Sequence, residues 1–249
     1  MRKSGRLVWR GVWLGAELLL VALRFAWLFL RTSGRPTVHQ RAVCLQHGCR
    51  RVLRVLVAKI TVTGTVPTSG LLVSNHLSYL DILLLSTVAP GIFVSKYEVK
   101  SWPVFGWFAQ LGGTVFVQRE RRGHVGEISA RLHALLESGE LVFLFPEGTS
   151  SGGETVLPFK SSLLEPAAGH KQPVWVAAID YSLADGVVSA DVCYWGDMTL
   201  APHFLKLLRK PFVHAHVRYQ EITQPAADRK ELAKQLHAEV LRLKSAPAR

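Results

Sequence analysis

The sequence predicts an α/β fold, with a mostly parallel or mixed central sheet flanked by helices and with an N-terminal membrane-associated helical hairpin. From Ile60 onward, short runs rich in Val, Ile and Leu alternate with helical patterns. These runs are almost continuously apolar, which is typical of strands covered on both faces. Residues 1–58 instead combine a basic start with a long apolar stretch. We therefore predict a hairpin over 1–58 and a single α/β domain over 59–249.

The apolar stretch Gly11–Leu30 is interrupted only by Glu17 and Arg24. About 20 apolar residues can cross a bilayer, but a charge near its centre costs about 2.5–3.5 kcal/mol on insertion scales. A helix embedded in one leaflet therefore fits better than a span, and an amphipathic helix packed on the domain stays an alternative. No small-x-small cleavage site follows, which disfavours a secretory signal. A second helix is predicted over Val38–Lys59.

The composition favours an anionic lipid surface as a partner. Hydrophobic residues make up 49% of the chain, yet 30 Lys and Arg face 18 Asp and Glu, which gives a formal net charge of +12. No helix-turn-helix, zinc-finger or RNA-binding signature indicates nucleic acid as the partner. Cys44, Cys49 and Cys193 form neither a C-x-x-C pair nor a zinc pattern. We therefore predict reduced cysteines in a cytoplasmic compartment and no metal.

The individual elements are predicted in chain order from their periodicity. Strands are predicted over 59–64, 70–75, 91–96, 114–119, 141–145, 173–181, 188–195 and 212–222. Helices are predicted over 78–87, 102–111, 124–138, 200–208 and 228–244. Strands and helices that alternate in this way predict one sheet with helices packed on it.

His76 and Asp81 lie in the break between the second strand and the first helix of the domain. On an ideal helix, residues five apart point about 140° away from each other. The two side chains can meet if His76 lies in the turn and Asp81 in the first helical turn, with Ser78 as the N-cap. The pattern then permits two interpretations: a capping-box-like helix start, or a histidine base oriented by an aspartate.

Three further motifs follow in the chain and contain polar residues after predicted strands. Lys96 ends "GIFVSK", Arg119 ends "GTVFVQR", and "FPEGT" contains Glu147. A strand led by proline, "PVWVAAID", comes next. Together with H-x-x-x-x-D, these motifs resemble, in order, those of the 1-acylglycerol-3-phosphate acyltransferase family over roughly residues 59–179.

The resemblance implies a membrane-bound enzyme that transfers a fatty acyl group from acyl-CoA or acyl-carrier protein to a lysophospholipid hydroxyl. The acceptor most typical of the family is 1-acyl-sn-glycerol-3-phosphate, and the product is phosphatidic acid. The thioester is a co-substrate, and no cofactor is implied. Residues 59–249 would then be the catalytic domain. We expect the enzyme on the cytoplasmic face of the inner or plasma membrane.

The resemblance also implies a role for each matching residue. His76 would be the general base, and Asp81 would orient it. Arg119 would bind the acceptor's phosphate, with Lys96 as a second positive contact. The acceptor site would further include Glu147, Gly148 and Thr149. We expect backbone amides near Gly148 and after His76 to stabilise the tetrahedral oxyanion.

One residue departs from the family pattern. Members that form phosphatidic acid usually have an arginine directly after F-P-E-G-T, where this chain has Ser150. A neutral hydroxyl at this point leaves other acceptors open, among them lyso-ornithine lipid. A non-catalytic membrane lipid-binding protein with the same fold is the competing class.

Overall fold

A computed structural model describes residues 3–56, 59–118, 124–168 and 172–246, except for the side chains of Lys3, His124 and Val125. In this part of the chain, seven strands form one sheet in the order β1-β7-β6-β2-β5-β3-β4. All neighbouring strands are parallel except β6 and β7. The strands are β1 (Lys59–Thr63), β2 (Gly70–Ser74), β3 (Ile92–Lys96), β4 (Val115–Val117), β5 (Leu141–Leu144), β6 (Val174–Leu183) and β7 (Val213–Ile222). The predicted mixed sheet is confirmed.

Helices cover both faces of the sheet. In chain order they are α1 (Lys3–Arg31), α2 (Val38–Leu56), α3 (Leu80–Val88), α4 (Phe105–Gly112), α5 (His124–Glu137), α6 (Val188–Asp191), α7 (Leu200–Arg209) and α8 (Arg229–Ser245). Leu72 of β2 packs in the core that contains residues of α2, α3 and α7, whereas Leu71 and Val73 pack in the core that contains residues of α5 and α8. Alternate strand residues thus serve opposite cores, which explains why the strands are apolar throughout.

The strand predicted over 188–195 is wrong. Residues 188–191 form the short helix α6, and the residues after it form no strand. The Asp191 carboxylate accepts a hydrogen bond from the Val187 amide at 2.9 Å and pairs with Lys206 and Lys210 at 2.7 Å each. These contacts, with the Val187 amide, with Lys206 of α7 and with Lys210 directly after α7, favour the helical turn rather than an extended strand. The other seven predicted strands are present, with shifted ends.

The two helices of the predicted N-terminal hairpin, α1 and α2, are present and pack against each other, while the association of the hairpin with a membrane stays a prediction. Residues Ser4–Arg31 are long and apolar enough to cross a membrane, by length and composition. Glu17 does not face outward, because its carboxylate accepts hydrogen bonds from Arg51 of α2 and from Trp13. Val57 and Ala58, at the predicted domain boundary, lie outside the described residues.

Basic residues at the start of α1 dock this helix on the α/β domain. The Arg6 side chain donates to the carbonyl of Arg209 at 3.0 Å, and Arg10 donates to the carbonyls of Lys210 at 2.7 Å and Pro211 at 2.9 Å. These carbonyls lie at the C-terminus of α7, where the last turn lacks intrahelical donors. The opposite side of α1 exposes large apolar side chains: Val8, Trp9, Val12, Leu19, Leu20, Leu23, Trp27 and Leu30.

Gly70 starts β2, the strand that leads to His76. Its φ is +93°, and a Cβ atom there would lie 2.1 Å from the carbonyl oxygen of Pro173. The amide of Leu71 donates to that same carbonyl at 2.9 Å. Glycine is therefore required where β2 and β6 begin to pair.

We expect Gly70→Ala to lower the free energy of unfolding by more than about 1 kcal/mol, because it combines an unfavourable φ with a backbone clash. Gly126→Ala is the matched control, since a Cβ at this position of α5 meets open space. That change should raise stability by about 0.5–1 kcal/mol. Urea unfolding of both variants in detergent is the measurement, and equal stability of Gly70→Ala and wild type would contradict the requirement.

Candidate active site

The predicted site residues follow strands that end at one edge of the sheet. β2, β5, β3 and β4 are mutually parallel neighbours, so their carboxyl ends share that edge, where open α/β sheets bind ligands. His76 follows β2, Glu147 follows β5, and Lys96 is the last residue of β3. Arg119 follows β4 in the sequence but lies outside the described residues.

The side chains of His76 and Asp81 meet. His76 Nδ1 lies 2.8 Å from Asp81 Oδ2. The geometry arises as the sequence suggests, because His76 lies in the turn after β2 and α3 begins at Leu80. Asp81 thus occupies the first helical turn and reaches back across the turn to the imidazole.

Asp81 is completely buried, and its charge is compensated by four donors. Oδ2 also accepts the amides of Leu77 at 2.6 Å and Ser78 at 2.9 Å. Oδ1 accepts the hydroxyl of Tyr181, from β6, at 2.7 Å. A buried carboxylate is tolerated only with such partners. Tyr181 has no motif context in the sequence, so sequence reasoning missed it.

The prediction that Ser78 caps α3 is wrong. Tyr79 occupies the N-cap position without a side-chain cap bond. The Ser78 hydroxyl is buried and makes no hydrogen bond to any described residue. The Asp81 carboxylate instead accepts hydrogen bonds from the amides of Leu77 and Ser78, before the helix, and these bonds stabilise the turn.

The His76 ring is held by packing as well as by hydrogen bonding. It stacks on Phe145, with 4.2 Å between the ring centroids and 18° between the planes. The side chain is 19% exposed, and Nε2 has no hydrogen bond to the described residues. Because Asp81 can only accept, neutral His76 has its proton on Nδ1 and a lone pair on Nε2. The arrangement can therefore take a proton from a bound hydroxyl.

Glu147 holds the backbone of His76. One carboxylate oxygen accepts the His76 amide at 2.7 Å, and the other accepts the Leu157 amide at 2.9 Å. The Ser151 amide also donates to the His76 carbonyl at 3.0 Å. Burial raises the pKa of Glu147 above its usual value, against the opposing effect of the two amides. Glu147 contacts the histidine turn on one side and the loop after β5 on the other.

The loop after β5 differs in detail from the expected oxyanion site. Gly148 has a φ of +72°, and its amide donates to the Phe145 carbonyl at 3.1 Å. The amides after His76 are already bonded to Asp81. Thr149 is exposed, and its amide and that of Ser150 make no hydrogen bond to the described residues. These two amides stay available to an oxyanion.

Ser150 and Asn75 both make bonds inside the protein. The Ser150 hydroxyl donates to the carbonyl of Tyr194. The Asn75 side chain donates to the Ile179 carbonyl at 2.9 Å and accepts its amide at 2.8 Å. Asn75 thereby extends the pairing of β2 with β6 beyond the end of β2. Asn75 ends the strand predicted over 70–75, and the sequence contains no signal for its contact with Ile179.

Lys96 is exposed at the end of β3, opposite Val117 of β4. In the described residues it takes part in no ion pair. The expected partnership of Lys96 with Arg119 stays a prediction, because Arg119 is outside the described ranges.

A model of a known protein family matches the part of the chain that contains these site residues. The sequence model of the family described as Acyltransferase matches residues 59–180. The lyso-ornithine lipid O-acyltransferase of Pseudomonas aeruginosa is 36% identical over 228 residues, which cover 88% of this chain and 88% of that protein. The 1-acyl-sn-glycerol-3-phosphate acyltransferase of Neisseria meningitidis is 39% identical over 152 residues, covering 60% of this chain and 59% of that protein.

A solved structure agrees with the fold. The crystal structure of the 1-acyl-sn-glycerophosphate (LPA) acyltransferase PlsC from Thermotoga maritima matches over all of both chains, with a TM-score of 0.54 and 20% identity. The chain is an acyltransferase for lysophospholipid-like acceptors, and it belongs to the acyltransferase family that includes the 1-acylglycerol-3-phosphate acyltransferases and the lyso-ornithine lipid O-acyltransferases.

Proposed function

We propose that the protein transfers a fatty acyl group from a thioester donor to the free hydroxyl of a lyso-ornithine lipid at a membrane surface. The observation that carries the chemistry is the His76–Asp81 pair, whose free Nε2 lies at the sheet edge. The donor is acyl-CoA or acyl-carrier protein.

In the proposed reaction, His76 Nε2 accepts the proton of the acceptor hydroxyl while its oxygen attacks the thioester carbonyl. Asp81 stabilises the imidazolium and keeps Nδ1 protonated. The tetrahedral oxyanion is stabilised by the free amides of Thr149 and Ser150. Collapse of this intermediate breaks the carbon–sulfur bond, and the imidazolium returns its proton to the leaving thiolate. A positioned base typically contributes about 10²–10⁴-fold.

The ornithine acceptor is favoured by two observations. Relatives of that name in Pseudomonas aeruginosa and Rhizobium meliloti match 88% of this chain at 36% and 37% identity. In the site, Ser150 replaces the arginine of the phosphatidic-acid-forming pattern, and its hydroxyl is bonded to Tyr194. An ornithine headgroup is an amino acid without phosphate, so it does not require that arginine.

Lysophosphatidic acid is the second candidate acceptor. The Neisseria relatives named for this acceptor are each 39% identical over their matched segments. Lys96 ends β3 and Arg119 follows β4 in the sequence, and the two supply the positive charge that a phosphate needs.

Membrane attachment is proposed through α1. Its exposed apolar side chains face away from the domain, and a protein with net charge +12 is attracted to anionic lipid. We propose that α1 lies in the lipid interface with the site beside it, on the cytoplasmic face of the inner or plasma membrane. This arrangement gives the site direct access to lysolipids.

The function is tested by offering the detergent-solubilised protein both thioester donors, with lyso-ornithine lipid and lysophosphatidic acid as acceptors. We expect ornithine lipid as the main product, and His76→Ala should lower turnover by about 10²–10⁴-fold. His214→Ala, in β7, is the matched control and should retain turnover. Mass spectrometry of the products is the measurement.

Each other outcome of this experiment removes one part of the proposal. Preferential acylation of lysophosphatidic acid would replace the ornithine acceptor by the second candidate. Full turnover of His76→Ala would exclude this histidine as the base. If the wild-type protein is folded but acylates no acceptor, the result would favour a non-catalytic lipid-binding protein instead.

We expect Glu147→Gln to lower kcat/KM by about tenfold, because one of the two backbone amides would then face an NH₂ group instead of an oxygen. Glu154→Gln, exposed in the same loop, is the control and should match wild type. Steady-state kinetics with both variants measures the effect. A Glu147→Gln variant with wild-type kinetics would show that turnover does not need the hydrogen bond from the His76 amide to the Glu147 carboxylate.

The same pair of variants tests a pH dependence of stability. Burial raises the pKa of Glu147 in the folded state, so the folded protein binds more protons than the unfolded chain just above the usual glutamate value of 4.5. The contribution of Glu147 to stability must therefore fall as pH rises through that interval. Relative to Glu147→Gln, both wild type and Glu154→Gln should therefore lose stability between pH 4.5 and about pH 7, as measured by unfolding at both pH values.

We expect Leu23→Ser to weaken binding to phosphatidylglycerol vesicles by about tenfold, since it removes one large apolar contact from α1. Leu23 is 56% exposed. Val187→Ser is the matched control, because Val187 is 61% exposed outside the hairpin. Vesicle flotation measures the partition, and an equal effect of both changes would contradict docking through α1.

A further inference from the structure

The two oxygens of the Asp81 carboxylate are held by different parts of the chain. Oδ2 accepts three donors from its own turn: His76 Nδ1 and the amides of Leu77 and Ser78. Oδ1 accepts one donor from the described residues, the Tyr181 hydroxyl at 2.7 Å. Tyr181 is 100 residues further along, on β6. Among the residues that the structure describes, Tyr181 alone therefore links this carboxylate to the neighbouring strand.

Burial protects the contact between Tyr181 and Asp81 from solvent. Asp81 is 0% exposed and Tyr181 is 8% exposed, so solvent does not reach Oδ1. Burial, and then the negative charge of Asp81, raise the pKa of Tyr181 well above its usual value. The hydroxyl therefore stays protonated and remains a donor across the working pH range.

We propose that Tyr181 is a positioning residue for the reaction: its hydroxyl fixes the rotation of the Asp81 carboxylate and moderates the negative charge that Oδ2 presents to His76. This inference rests on the proposed role of His76 as the base. Tyr181 acts through Asp81 and does not touch the reacting atoms.

The Tyr181 hydroxyl weakens the attraction between the Asp81 carboxylate and a protonated His76 ring. A hydrogen bond to Oδ1 withdraws negative charge from the carboxylate, so its loss makes Oδ2 a stronger partner for protonated imidazole. His76 would then hold its proton up to a higher pH, and less of the base would be free at a given pH. Loss of the rotational constraint would also loosen the orientation of the ring.

Other titratable groups near the pair do not reverse this effect. Glu147 interacts electrostatically with both His76 and Asp81, and its two oxygens stay bonded to backbone amides. Tyr79 and Cys193 interact with Tyr181. Burial raises the pKa of Tyr79 above its usual value and that of Cys193 to about 12, so both side chains stay neutral near neutral pH.

The test compares Tyr181→Phe with Tyr219→Phe. Both tyrosines are buried on neighbouring strands, β6 and β7, but the Tyr219 hydroxyl makes no hydrogen bond to any described residue. Both changes keep the ring and remove one hydroxyl. They differ in whether a bond to Asp81 is lost.

We expect Tyr181→Phe to lower kcat about tenfold with KM changed less than about twofold, because it disturbs the base rather than the acceptor contacts. The acid limb of its pH–rate profile should move to higher pH by about half a unit. An NMR titration of the His76 ring in detergent should move in the same direction. Tyr219→Phe should coincide with wild type in all three measurements.

The outcomes separate this inference from the proposed function. If His76→Ala is inactive while Tyr181→Phe has the wild-type kcat and pH profile, the positioning role is wrong and the function stands. A loss of kcat without any pH shift, shared with Tyr219→Phe, would also overturn it, since that result indicates packing alone. Turnover in His76→Ala would instead remove the base on which the inference rests.

Discussion

A buried negative charge on Asp81 is the constraint on which the site depends. With 0% exposure, the carboxylate must find its donors inside the protein. It finds them in the turn that precedes α3, in the ring of His76 and in the hydroxyl of Tyr181. The same hydrogen bonds stabilise the buried charge and orient the imidazole. The stability of this turn and its proposed chemistry therefore depend on the same contacts.

The parallel arrangement of β2, β5 and β3 explains why these residues converge. The loops after these strands lie at the same edge of the sheet, and the Glu147 carboxylate connects the loop after β5 to the turn after β2. Glu147, after β5, bonds the amide of His76, after β2, while Phe145 supports the ring from below by stacking. The histidine is thus fixed at its backbone, at Nδ1 and at one ring face, which leaves Nε2 as its free polar atom. Such preorganisation is what a proton-transfer site requires.

The N-terminal hairpin also contains a carboxylate that is paired inside the protein. Glu17 interrupts an apolar helix, yet it faces Arg51 of α2 and not the surface. The exposed side of α1 is therefore largely apolar, while Arg6 and Arg10 bind the end of α7. Glu17 is paired inside the hairpin, and Arg6 and Arg10 are bound to the domain. The protein, which is basic overall, therefore has an apolar surface on α1. Those are the two properties that interfacial binding uses.

The α/β class, seven of the strands, the helical hairpin and the possible contact of His76 with Asp81 are predictable from the sequence, because local periodicity and short spacing indicate each of them. The contacts of Tyr181 and Asn75 are not predictable in this way, because they depend on the register of β2 against β6 across about 100 residues. The failed strand at 188–195 has the same cause. Its apolar pattern was local, whereas the bonds of Asp191 to α7 that stabilise a turn there come from distant lysines.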